Sequence, residues 1–263
     1  MIYLTAEANL YVSLSGSDAN DGSVNSPWRT PQHAADELHR NYDLCGFPIT
    51  ISVGPGQYGP LVLSGPFRGV ASRSGVNFVG TQSHNVVSDT GFVAGDGCNA
   101  LTAMDGAQAT LSGFYTQATG GGTYGRGIIC HNLSSLQLNW WEHRACSQSH
   151  VLAGGGGIVN LGGTHMLTGA APIFMLAEDM GIAYLSGDLW IVNTMTFSTA
   201  AAVADRGGLV DFSYTTVSPI GGAVAHGVKY NANTLGKVVG SYAGGIGIPG
   251  DQAGITATGG IYI

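Results

Sequence analysis

Hydrophobic and polar residues alternate in short runs along most of the chain, with Gly, Asn, Ser and Asp between the runs. Ile49-Thr50-Ile51-Ser52-Val53 alternates strictly and predicts a strand buried on one face; Leu10-Tyr11-Val12 predicts a shorter one. Between them, residues 15–26 (SGSDANDGSVNS) read as a polar loop. Thr30-Pro31 then supplies a helix N-cap followed by proline at the first helical position, where its missing N–H costs nothing. A helix is expected over residues 31–44, with Ala34, Ala35, Leu38 and Tyr42 on one face and Gly46 ending it. It is the one substantial helix the pattern predicts.

Beyond residue 100 the pattern repeats. Strand-like pieces begin at Leu111, Leu136, Ile158, Ile182 and Leu209, spaced 25, 22, 24 and 27 residues apart. A second series runs in step from Ile128, His150 and Pro172, and a third from His165 and Leu189. Three short strands per ~24 residues describe one coil of a parallel β-helix, whose inward side chains are buried only when the next coil stacks on it. The expected organisation is a strand, loop and capping helix over 1–48, a parallel β-helix over 49–225, and a glycine-rich cap or oligomerisation segment over 226–263. That last segment includes Tyr230, Tyr242, Ile246, Ile248 and the ending Gly259-Gly260-Ile261-Tyr262-Ile263.

Composition agrees with the repeat and excludes other classes. Glycine supplies 43 of 263 residues and charged residues only 10%, while 44% are hydrophobic. So much glycine rules out a helical bundle, so many aliphatics rule out disorder, and the glycines lack the period of three that collagen needs. Solenoid corners use glycine for positive φ, so runs such as Gly120-Gly121-Gly122 and Gly154-Gly155-Gly156-Gly157 read as corners rather than phosphate cradles. The net charge is -7 with no basic block, which speaks against nucleic acid. Apolar runs are too short and too broken by glycine to span a membrane, and residues 1–4 lack the look of a signal peptide. Cys45, Cys98, Cys130 and Cys146 show no C-x-x-C or zinc spacing and read as free thiols.

Two stretches resemble known proteins. Tyr11-Val12-Ser13 with Gly16 to Gly22, Pro27 and the helix, followed by Ile49 to Tyr58, resembles the opening of right-handed parallel β-helix proteins of the pectate-lyase-like superfamily. Gly227-Val228-Lys229-Tyr230, Pro249-Gly250-Asp251-Gln252-Ala253-Gly254 and Thr256 to Gly260 resemble the ends of β-helix spike or fibre proteins of phages, prophages and phage-like gene transfer agents. The resemblance implies an all-β, right-handed parallel β-helix in a homotrimeric spike, assembled in the host cytoplasm beside other virion proteins, that binds bacterial surface polysaccharide without a cofactor. A polysaccharide lyase or glycoside hydrolase on the same fold, and a fibre segment that binds nothing, are the alternatives.

The densest chemical patch is Asn139-Trp140-Trp141-Glu142-His143-Arg144. Adjacent strand residues face opposite ways, so one tryptophan is expected inside and the other outside. An outward indole with Glu142, His143 and Arg144 beside it suits a sugar, whose apolar face stacks on the ring while polar groups take its hydroxyls; packing of both indoles is the competing reading. For hydrolysis two carboxylates are needed. The weak candidates are Glu178 and Asp179 in one corner and Asp205 in the equivalent corner of the next coil, where turn capping is the plainer role. Tyr115, Tyr184 and Tyr214 fall near equivalent coil positions and could form a strip. His131, His143, His150 and His165 are spread over several coils without a readable metal triplet, and Asp18 to Gly22 reads as a turn, not a calcium loop.

Overall fold

The structure, a computed structural model, describes residues 1–81, 88–121, 124–240 and 247–263. Gly122, Tyr242 and Ile246 lie outside the described residues. The chain winds into an all-β parallel solenoid of about seven coils. One sheet stacks, in order, Ala8–Val12, Ile49–Val53, Val76–Val79, Gln108–Ala118, Ser135–Cys146, Ile158–Leu167, Ile182–Ile191, Leu209–Asp211, Lys237–Val239 and Ile261–Tyr262. A second sheet runs from Leu61–Ser64 through Leu101–Met104, Ile128–Cys130, Ser149–Ala153, Ile173–Ala177, Ala200–Ala204 and Tyr230–Ala232 to Ile255–Thr256. All pairings between these strands are parallel, which places like positions of successive coils directly over one another.

The inward ladders are continuous and buried. Ala109, Leu136, Val159, Ala183 and Val210 form one column and Leu111, Leu138, Leu161 and Leu185 the next, each with essentially no exposed surface. Burying one such Leu or Val side chain stabilises by roughly 1.5–3 kcal/mol. The coil spacing expected from sequence is therefore present, but its register differs. Leu111 lies opposite Leu138, not Leu136, and Ile128 opposite Val151, not His150. The reason is physical. Each strand has two equivalent inward apolar positions, and Ser149–Ala153 is buried on both faces, so alternation cannot choose between them.

Among the described residues, one corner of the coil is built the same way seven times. Residues 104–107, 131–134, 154–157, 178–181, 205–208, 233–236 and 257–260 each close with the N–H of the fourth residue donating to the carbonyl of the first. The two central residues have positive φ in every case, as at Asp179 (51°) and Met180 (62°), the signature of a type I′ turn. In the last five of these turns the fourth residue is glycine. At Gly181 a Cβ would stand 2.2 Å from the Ala153 carbonyl oxygen of the coil below, so no side chain fits.

The two ends differ. Thr30 accepts a hydrogen bond from the His33 N–H as N-cap, and the helix Pro31–Asn41 buries Pro31, Ala34, Ala35 and Leu38. The helix stops at Asn41 and does not reach 44, because Tyr42–Asp43 turns extended and pairs with Ile2–Tyr3. Gln32 reaches from the helix to the edge strand Leu61–Ser64. It accepts from the Val62 N–H (2.8 Å) and donates to the Val62 carbonyl (3.1 Å), standing in for a missing strand neighbour. At the other end Ile255–Thr256 and Ile261–Tyr262 are edge strands, and Ile255, Ile261, Tyr262 and Ile263 are each about half exposed. No described helix is long and apolar enough to cross a membrane.

Candidate functional site

The strand Ser135–Cys146 bends at Trp140, and the bend decides where the patch around it points. Leu136 and Leu138 face inward and Ser135, Gln137 and Asn139 outward. Trp140 then takes φ +51°, which resets the alternation, so that Trp141 turns in and Trp140 out. Trp141 is fully buried, packs on Phe114 and donates from Nε1 to the Thr116 hydroxyl (3.1 Å), whereas Trp140 is 38% exposed. One tryptophan in and one out is the arrangement expected from sequence.

The neighbours of Trp140 make it unusual. The flanking pairs Ser112–Asn139 and Phe114–Trp141 put Trp140 level with Gly113 on one side, its ring lies against Gly163 on the other, and Gly80 and Gly187 extend the same corner. Gly113 and Gly163 have φ of 82° and 73°, and a Cβ at Gly187 would stand 2.0 Å from the Gly163 carbonyl oxygen. The corner is thus paved with glycine in four coils and carries one bulky side chain, held where L-residues are strained. The indole lies along Gly163, where a Cβ would meet Nε1 at 3.2 Å. Beside it, the outward face of the same sheet is a row of amides and hydroxyls. Gln137 Nε2 donates to Asn139 Oδ1 (3.0 Å), Asn139 Nδ2 to Ser112 Oγ (3.3 Å) and Ser186 Oγ to Asn160 Oδ1 (3.4 Å). The row continues into a groove of about 550 Å³ lined by Ser72, Arg73, Gln108, Ser135, Asn160 and Tyr184. An aromatic plate next to amides, hydroxyls and one guanidinium can stack a sugar ring and hydrogen-bond its hydroxyls.

The other residues of the patch are placed differently. His143 is fully buried in the core, as is Trp141, so neither presents a surface to a glycan. Glu142 is outward but only 2% exposed, and its carboxylate is saturated. It accepts from Arg144 Nε (2.8 Å) and Nη2 (3.2 Å), the Ser88 N–H (3.1 Å) and the Thr168 hydroxyl (2.8 Å). The Arg144 guanidinium covers the Tyr115 ring at 3.4 Å from its centroid, and Arg144 keeps part of its surface in solvent. Burial raises the Tyr115 hydroxyl above its ordinary range, against the opposing pull of Arg144. Glu142 therefore works as a pin between segments, while Trp140 and the edge of Arg144 reach the surface.

The corner carboxylates come together as expected of adjacent coils, around one cation. Arg206 pairs with Glu178 (2.8 Å), Asp179 (2.5 Å) and Asp205 (2.7 Å), and holds Asp179 below its ordinary carboxylate range. Glu178, Asp179 and Asp205 are turn residues in the I′ corners tied to Arg206, and Glu178 and Asp179 also line a groove of about 340 Å³ with His131 and Asn132. The three tyrosines form no strip. Tyr115 lies opposite Glu142, Tyr184 opposite Asn160 and Asp211, and Tyr214 stands 81% exposed in a turn, because they belong to different columns. Asp18 is a loop clasp. Its carboxylate accepts from the Arg29 and Thr30 N–H groups and the Thr30 hydroxyl. The four cysteines are free, and among the described residues no group of His, Cys, Asp and Glu has the arrangement of a metal site. Sequence reasoning missed the glycine-paved corner and the amide row. The spacing Gly80, Gly113, Gly163, Gly187, with Trp140 in the gap, was the available signal. No protein-family model, curated protein or solved structure matches the chain.

Proposed function

We propose that the chain is a virion spike or fibre protein, of a phage or phage-like particle, that binds host cell-surface polysaccharide through the outward face around Trp140. The observation that carries the binding reading is the corner column itself. Where the neighbouring coils use glycine at this corner, this coil holds a tryptophan in a left-handed conformation and leaves part of its ring at the surface, which offers a stacking plate to a ligand. The amide row and the groove at Arg73 and Tyr184 supply hydroxyl contacts along the stacking direction, matching the repeating units of a glycan chain. The spike assignment rests on the C-terminal resemblance and on the parallel β-solenoid fold. In a trimer three modest sites would reinforce one another through effective concentration.

A panel of capsular and exopolysaccharides, immobilised and probed with the full chain, tests this. Binding to at least one glycan, weakened ten-fold or more by Trp140→Ala in an otherwise folded protein, is the expected result. Absence of binding across bacterial surface glycans, or binding that Trp140→Ala leaves unchanged, would sink it. The same incubations, assayed for new reducing ends and unsaturated uronate, separate a binder from a depolymerase.

A further inference from the structure

The parallel stack brings three histidines from three strands to one point of the core. His143 on Ser135–Cys146, His150 on Ser149–Ala153 and His165 on Ile158–Leu167 are all without exposed surface. Ring centroids lie 5.4 Å apart for His143 and His165 and 5.6 Å for His143 and His150, with Phe174 edge-on to both His143 and His150. The hydrogen bonds fix the tautomers. His165 Nε2 faces the Gly162 carbonyl (3.2 Å) and His150 Nε2 the Gly169 carbonyl (3.0 Å), so each carries its proton there. His165 Nδ1 is then an acceptor, and His143 Nε2 donates to it (3.1 Å). Every N–H is used, and all three rings are neutral. A further proton is poorly accommodated: Nδ1 of His143 and Nδ1 of His150 have no hydrogen-bond partner, protonating His165 Nδ1 destroys the bond from His143, and the Arg144 and Leu138 backbone, which favour charged His150 and His165, offset burial only in part.

No carboxylate compensates. The strand partners of His143 are Thr116 and Leu167, and those of His165 are Trp141 and Leu189. The Cys146 thiol, on the same strand as His143, is pushed up to about 12 by burial and stays neutral. Glu142 and Arg144 are ion-paired on the other face of that strand. The charges that act on His143 are those of His165 and His150, and they oppose its protonation after burial has done so first.

We propose that His143, His150 and His165 form an acid-sensitive joint, at which protonation opens the central coils and uncouples the two halves of the solenoid. Among the described residues no other histidine is fully buried, and a solenoid is held together by neighbour contacts, so the break falls here. The sign follows from linkage. Burial lowers His150 and His165 from 6.5 to about 4. Their neutral-state stabilisation is complete above pH 6.5 and is lost as pH falls from there toward 4. With those values the unfolding equilibrium constant rises roughly thirty-fold per ring between pH 7.5 and pH 5.

The test is an acid titration of the full chain, with hydrogen exchange read by peptide and histidine ring protons read by NMR. Expected are rings of His143, His150 and His165 that stay neutral in the native state to below pH 5. Loss of exchange protection should begin in peptides covering residues 135–175, and the urea midpoint should be lower at pH 5 than at pH 7.5. His143→Leu/His165→Leu should move the acid midpoint down by about one pH unit or more. If that variant fails to fold, the wild-type titration decides alone. Native rings titrating near 6.5, equal urea midpoints at the two pH values, or acid opening that starts at a chain end would overturn the proposal.

Discussion

Two adjacent tryptophans illustrate how one backbone angle assigns roles. If alternation had continued through the strand, Leu136 and Leu138 would have been followed inward by Trp140, with Trp141 outside. The positive φ at Trp140 reverses this. Trp141→Ala should therefore cost about 3–5 kcal/mol in urea unfolding, the range for truncating a fully buried aromatic. Trp140→Ala should cost far less stability and act on glycan binding instead. Equal losses of stability for the two variants would refute the assignment. That the pair splits between core and surface was legible from period two alone. Which one went inside was not, nor was the burial of His143, because nothing local to Asn139-Trp140 announces a left-handed residue. Only comparison with Gly113 and Gly163 in the adjoining coils does so.

Among the elements, the helix start was readable from Thr30-Pro31 and the strands from alternation, since both are local signals. The helix end was not: Tyr42 leaves the helix to pair with Ile2, a contact across forty residues. The corners themselves were readable at Gly154 to Gly157, at Glu178-Asp179 and at Asp205, but their I′ geometry was hidden, because Asp-Met, Arg-Gly and Thr-Leu all adopt it. Two glycines of these corners should respond differently to alanine. Gly207 has φ +76° and open space around it, its nearest neighbour being Met180 at 3.7 Å, so Gly207→Ala should cost only the left-handed penalty of about 1–2 kcal/mol. Gly181 has no positive φ but no room, and Gly181→Ala should cost clearly more, since backbone must move. Urea midpoints measured in parallel check the ranking. At the capped edge, Gln32→Ala should lose about 1–3 kcal/mol by leaving the Val62 N–H and carbonyl without partners. An unchanged midpoint there would mean that water replaces the side chain at no cost.

For the whole molecule, the asymmetry of the ends matters most. The N-terminal end of the stack is closed by a helix that both covers apolar surface and satisfies edge hydrogen bonds. At the C-terminal end, two parallel edge strands present open backbone groups beside half-exposed Ile255, Ile261, Tyr262 and Ile263, with Tyr262 stacked on Tyr230 at 4.1 Å. Such an edge tends to pair with other chains unless something blunts it. In the proposed homotrimer these residues would meet around the axis, which would take their apolar surface out of water. Sedimentation equilibrium at micromolar concentration is then expected to give about three times the 26.9 kDa chain mass. Ile261→Asp should shift the population to monomer while leaving the far-UV spectrum of the coils intact, because each coil is held by its neighbours and the last one can loosen alone. A wild-type monomer at that concentration would remove the trimer, and with it the multivalent route to polysaccharide affinity, though not the Trp140 site. A trimer indifferent to Ile261→Asp would move the contact elsewhere on the solenoid.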